Sequence, residues 1–262
     1  MWARDVQFFD NHSSILGDRE LIASLREQIE QGSVVIVRGA AETDLILRMR
    51  EYLTGIGRGS LPNYHRIEPG CPNFHRMNRW DPRAYVQGCF HQFVFFPWNQ
   101  DVFEFFRVFA PVYHLKNQLS GLEAEKFLGP EPEDGCTARL AFQFYPSGAG
   151  GLNLHQDPAD YHQLTVPIMV MSQKGTDFHE GGAFVEKEDG SRINLDEICD
   201  LGDVVYFNAT CRHGVEPIDP QSDSDWLSFQ GRWMLLFAVN RLFDNRSISD
   251  SVDLARTEAS GS

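Results

Sequence analysis

The chain has 262 residues, 42% of them hydrophobic, with a formal net charge of −14. That length suits one substantial core in a single β-barrel domain, and the negative field argues against a nucleic-acid or anionic-membrane partner. The five cysteines (Cys71, Cys89, Cys136, Cys199, Cys211) are scattered without a Cys-X-X-Cys pair, and no apolar leader or spanning segment is evident. Reduced thiols in a soluble cytoplasmic protein are therefore expected, not a zinc-finger or disulfide framework.

Asp18 to Gln31 has helical spacing, with Leu21, Ile22, Leu25 and Ile29 on one face and Gly32 as a stop. Residues 33–37 read as a buried strand, and Thr43 to Leu53 as a second amphipathic helix. Residues 55–100 read as irregular, with Gly and Pro scattered among aromatic and basic side chains. A stretch of that kind inside a compact domain suggests a lid or binding loop. Asp101 to Leu119 is expected to be a helix bearing Phe105, Phe109, Val112 and Leu119, interrupted or kinked near Pro111.

From Thr137 the texture changes to short strands with turn residues between them, over 137–145, 152–157, 163–171, 182–186, 203–207, 213–216 and 232–240. Such punctuation suggests a barrel or sandwich. Residues 218–230 form a polar loop, and the polar tail 245–262 is expected to be flexible. A single domain is predicted: a helical, loop-rich part over 1–136 buttresses a β-rich core over 137–242.

Within that core, His155-Gln156-Asp157 is answered far downstream by His213. On a strand, residues i and i+2 project to the same face, whereas on a helix they lie about 200° apart. An extended segment would therefore aim His155 and Asp157 at one point. Two imidazoles and a carboxylate make the facial triad that holds non-haem Fe(II) and leaves positions open. Metal and catalytic roles are accordingly expected for His155, Asp157 and His213.

The surrounding residues carry a family resemblance. Phe144-Tyr145-Pro146-Ser147-Gly148-Ala149-Gly150-Gly151 precedes the His-X-Asp element, and Gly181-Gly182-Ala183-Phe184 follows it. Leu201-Gly202-Asp203-Val204-Val205-Tyr206-Phe207 leads to His213, and Gly231-Arg232-Trp233-Met234-Leu235-Leu236-Phe237 comes last. In this order, over about 137–242, the chain resembles the Fe(II)/2-oxoglutarate-dependent oxygenases, in their prolyl-hydroxylase-like, small-molecule branch. The resemblance implies a mainly β fold with flanking helices, its core a double-stranded β-helix (jelly roll, cupin-like). It also implies Fe(II), O₂ and the cosubstrate 2-oxoglutarate, with succinate and CO₂ released as a C–H bond is oxidised, most simply by hydroxylation.

Arg232 is the residue implied for the distal carboxylate of 2-oxoglutarate, because a guanidinium fork matches a carboxylate bidentately. It shares a strand face with Met234, Leu236, Ala238 and Asn240. The interval from His213 to Arg232 is longer than the family's usual one, and the 218–230 loop can absorb the excess. Tyr145 and Gln143, which share a face with Arg139, are the other candidates for cosubstrate contact. Substrate contact is expected from Arg76, Arg79, Trp80 and His91 in the irregular segment, and from Asn153 beside the ligands. The expected partner is a small molecule, such as an amino acid or natural-product intermediate, for a monomer or homodimer without nucleic acid or membrane. A cupin-like metalloenzyme without 2-oxoglutarate, or a non-catalytic ligand-binding jelly roll, remains an alternative at this stage.

Overall fold

The computed structural model describes residues 1–160, 162–243 and 250–260. Strand β1 (Val6–Phe9) leads to helix α1 (Arg19–Glu30), where the Asp18 side chain accepts from the Leu21 amide and satisfies a first-turn donor. Ile22, Leu25 and Ile29 form its buried stripe, as their spacing predicts. β2 (Val34–Val37) and α2 (Thr43–Gly59) follow, then β3 (Phe74–Arg79), β4 (Gly88–Phe95), α3 (Phe105–Val108) and α4 (Ala110–Leu119). The remainder runs β5 (Cys136–Pro146), β6 (Gly151–Gln156), β7 (Ile168–Val170), β8 (Gly182–Glu186), β9 (Arg192–Asn194), α5 (Leu195–Ile198) and β10 (Val204–Tyr206). β11 (His213–Glu216), β12 (Gly231–Arg241), β13 (Val252–Asp253) and α6 (Leu254–Ser260) close it.

The strands form one curled sheet in the order β1-β2-β10-β7-β12-β5-β4-β6-β11-β8-β9. β4 makes the curl: it pairs with β5 along His91–Phe95 and with β6 through Gly88 and Cys89. One wall is therefore β5, β12, β7 and β10, and the facing wall is β6, β11, β8 and β9. This is a jelly roll, as the resemblance implies.

Alternation along the two long strands sorts their side chains between two environments. Leu140, Phe142 and Phe144 of β5, with Trp233, Leu235 and Phe237 of β12, join the helices in one large core. Phe105 packs there at 4.8 Å from both Phe95 and Phe142. Each such ring contributes about 1.5–3 kcal/mol by leaving water. Tyr145 and Met234 point the other way, into the barrel, against Phe90, Val185, Phe207 and Val215.

Two expectations are corrected. Residues 55–100 are not irregular: α2 continues to Gly59, and β3 and β4 lie within the span. Gly57 is needed in that helix, because a Cβ would stand 2.2 Å from Cζ of Phe229. β3 (Phe-His-Arg-Met-Asn-Arg) carries Arg76 on its barrel face and the exposed Met77 and Arg79 on the other, so it lacks the apolar alternation that announces a strand. The N-terminal part consequently supplies four strands of the sheet in addition to its helices. The stretch 101–119 is interrupted near Pro111, as expected: it divides at Phe109 into two helices, with Pro111 in the first turn of α4, where its missing amide is harmless.

The tail is the second correction. β13 pairs with the metal-site strand β6 (Asp253 opposite His155), and α6 follows it. Asp253 holds it there by accepting from the Gln87 amide and the Asn153 side chain. Residues 245–249 and 261–262 of the expected flexible tail lie outside the described residues. Among the described residues, no helix is long and apolar enough to cross a membrane.

Candidate active site

His155 lies on β6 and His213 on β11, opposite one another in the antiparallel register, which brings their ring centroids to 4.0 Å. Asp157 follows the end of β6, where its amide donates to the Ala209 carbonyl at 2.9 Å. Its carboxylate stands 3.5 Å from His213 Nε2 and 4.0 Å from His155 Nε2. One donor atom from each of the three falls within 4.8 Å of the others.

The ring tautomers follow from the backbone. His155 Nδ1 meets the Asn153 carbonyl at 2.8 Å, and His213 Nδ1 meets the Cys211 carbonyl at 2.9 Å. A carbonyl only accepts, so each Nδ1 carries the proton and each Nε2 turns its lone pair toward Asp157. Burial and then neighbouring His213 lower the His155 pKa to about 4, so this ring is neutral at ordinary pH, as a metal ligand must be. Burial alone would raise the Asp157 pKa. Contacts with His213, His155 and Ser251 prevail and hold it well below the usual carboxylate range. The donor set fits a divalent metal of the Fe(II) kind: three converging ligands, one of them anionic.

Ser251 Oγ donates to Asp157 Oδ1 at 2.6 Å, so the C-terminal segment orients a ligand carboxylate. Sequence reading missed Ser251 and Asp253 because a short polar segment near a terminus has no period to betray it.

Arg232 opens β12 directly opposite Tyr145 of β5 and is fully buried. Its Nε donates to Asp196 Oδ2 at 2.7 Å, while Nη1 and Nη2 are buried with no partner among the described residues. Two parallel orphan donors on one guanidinium are what a carboxylate would satisfy, and leaving each unpaired costs about 1–3 kcal/mol. The cosubstrate's distal carboxylate therefore fits here. Asp196, another residue missed in the sequence, lies on the single-turn helix α5 and also accepts from the Ala183 amide. Gly182 (φ +121°) admits it: a Cβ there would sit 2.7 Å from Asp196 Oδ2. Tyr145 hydroxyl donates to Gln143 Oε1 at 2.6 Å, and the Tyr145 ring lies 5.8 Å from the Arg232 guanidinium.

The expected substrate residues separate. Arg76 is on β3, in a cross-strand row with Gln92 of β4 and Gln143 of β5. Arg79 and Trp80 are exposed at the end of β3. His91 is buried on the other face of β4 from Gln92, stacked against Phe93 and bonded to His75 at 2.9 Å, away from the triad. Asn153 donates to Asp253.

No protein-family model matches the chain, and no curated protein matches it in sequence. Solved structures do share its fold. A Pseudomonas putida prolyl-4-hydroxylase superposes with a TM-score of 0.51 at 12% identity, over 84% of this chain and 98% of that one. JOX2, crystallised with 2OG, Fe and JA, gives 0.53 at 14% identity, over 95% and 78%. A full-length Neurospora crassa protein in complex with alpha-KG and thymine gives 0.51 at 12% identity, over 98% and 97%. The chain thus has the double-stranded β-helix fold found in Fe(II)/2-oxoglutarate oxygenases, and its His-Asp-His cluster has the donor set such a metal requires.

Proposed function

We propose that this protein is an Fe(II)- and 2-oxoglutarate-dependent dioxygenase that oxidises, most simply hydroxylates, an unactivated C–H bond of a small molecule, releasing succinate and CO₂. The observation that carries this reading is the pairing of two features in one barrel. Three ligands converge with both imidazole tautomers fixed, and a buried arginine keeps two orphan donors. A jelly roll that used the metal without a keto-acid cosubstrate would have no need of that arginine. The metal, when bound, supplies O₂ activation coupled to decarboxylation of the cosubstrate.

The chain's own residues do the rest. His155, Asp157 and His213 would hold the metal through one donor atom each, with positions left for cosubstrate and O₂. Arg232, held by Asp196, orients the distal carboxylate of 2-oxoglutarate in a low-dielectric site, where the ion pair is stronger than in water. Tyr145 and Gln143 fix the polar path between that end and the metal. Apolar walls from Phe90, Phe207 and Val215 exclude water. Cys71, Cys89, Cys199 and Cys211 are buried free thiols, which supports a reducing, cytoplasmic setting. Anaerobic Fe(II) loading followed by 2-oxoglutarate and O₂ tests the reading. Succinate should form, and a substrate screen read by mass spectrometry should find a product heavier by one oxygen atom. Bound iron without any succinate would refute it.

A further inference from the structure

The barrel holds a second pair of cations that the reading above leaves unused. Arg139 lies on the β5 face that carries Gln143 and Tyr145, and its charge interacts with Asp157 and with Arg76. Arg76 reaches the same face through the row Arg76–Gln92–Gln143. Both side chains are part-buried, and both Nε atoms are fully buried with no hydrogen-bond partner. Neither guanidinium makes an ion pair among the described residues.

That is anomalous in this chain. It has 37 acidic residues, and its other buried or part-buried arginines among the described residues are matched: Arg38 with Asp203, Arg50 with Asp177, Arg212 with Glu186, Arg232 with Asp196 and Arg241 with Asp250. Two neighbouring guanidiniums with no carboxylate in contact repel each other and forfeit hydrogen bonds that water would have made. Burial, and then the charge of Arg76, lowers the Arg139 pKa only to about 10, so the repulsion persists at neutral pH. An arrangement this unfavourable alone is relieved by a bound anion that accepts from both forks.

We propose that Arg76 and Arg139 form an oxyanion subsite for the substrate, so that the compound oxidised carries a terminal carboxylate or phosphate and presents its hydrocarbon part to the triad. This rests on the dioxygenase reading for its chemistry but not for its binding. A local cationic pair also answers a problem of the acidic surface, which otherwise repels such a substrate.

Calorimetric titration of the protein without metal isolates the subsite, using phenylacetate and phenyl phosphate as anionic probes and phenylacetamide as the neutral control. The wild type should bind at least one anion about tenfold more tightly than the amide, and less tightly as salt rises. Arg76→Gln and Arg139→Gln should each weaken that anion about tenfold or more, and Arg139→Lys by less. In parallel, 2-oxoglutarate affinity of the Mn(II)-loaded protein should change less than about twofold in the Arg76 and Arg139 variants, and collapse in Arg232→Gln. Circular dichroism checks folding, and Arg139→Lys carries the test if the glutamine variant does not fold.

The proposal is overturned if the wild type binds neither anion, if the variants bind both as the wild type does, or if Arg139→Lys has unchanged anion affinity. It is also overturned if Arg139→Gln loses 2-oxoglutarate binding while Arg232→Gln keeps it, since Arg139 would then be the cosubstrate arginine. Failure of the dioxygenase reading looks different: anion binding intact, but no 2-oxoglutarate affinity in the Mn(II)-loaded wild type.

Discussion

The paired strands β5 and β12 have a cation at each end of their shared barrel face, and the two are treated in opposite ways. Arg232, paired across from Tyr145, is fully buried and shares its charge with Asp196 at 2.7 Å. Arg139, opposite Ala238, is part-buried and touches no carboxylate. A built-in carboxylate fixes one edge of the Arg232 guanidinium and leaves two nitrogens aimed for a single ligand geometry. Without one, Arg139 and Arg76 keep their whole charge for whatever arrives. The difference suits a cosubstrate that never varies at one end and a substrate that defines the enzyme at the other.

The largest effects should come from the candidate metal ligands. Alanine at His155, Asp157 or His213 should abolish Fe(II)-dependent succinate formation while thermal unfolding stays near wild type, because the ligands line a preformed cleft. An Asp157→Ala protein that still turns over would break the assignment.

Next in size is Arg232→Ala. Losing one partner of a buried charge pair costs about 3–5 kcal/mol, on the order of a hundredfold or more in 2-oxoglutarate affinity. Arg232→Lys should fall between, since a point charge replaces a fork. Asp196→Asn sharpens the comparison further: freed from its partner, Arg232 should come to resemble Arg139, with weaker selection for 2-oxoglutarate over other dicarboxylates in competition binding.

Smaller still, Ser251→Ala removes the hydroxyl that orients Asp157 and should weaken Fe(II) binding about tenfold, read by metal titration. An unchanged affinity would mean that the C-terminal strand covers the site without tuning it. Arg79→Ala and Trp80→Ala, at exposed positions beyond the mouth, should change kcat/KM for the identified substrate by about threefold or less, since exposed contacts contribute little.

The outer face of the same sheet makes a pH prediction. His12, His75 and His91 are buried there, and burial lowers each from 6.5 to about 4. The unfolded chain therefore takes up protons first as pH falls. Stability should be undiminished above pH 6.5 and decline between 6.5 and 4, measured as Tm across that range. His91→Gln should flatten the decline.

Much of this was legible in the residues themselves. His155 and Asp157, two apart in an extended segment, must share a side, and Asp18 before the Leu21, Ile22, Leu25 stripe must start a helix. Alternation along β12 by itself aims Arg232 inward. Local period and turn chemistry determine these features, and the triad's identity follows from donor chemistry alone.

Other features depend on neighbours distant in the chain. β3 and β4 become strands because β5 offers them an edge, although Arg76 and Arg79 hide the alternation. Asp196 becomes the partner of Arg232 only because Gly182 clears a path for it. Ser251 reaches Asp157 because β13 adds itself to β6, 94 positions away. Arg76 and Arg139 become a pair only when the sheet curls, since charge–charge proximity across strands has no trace in the order of residues.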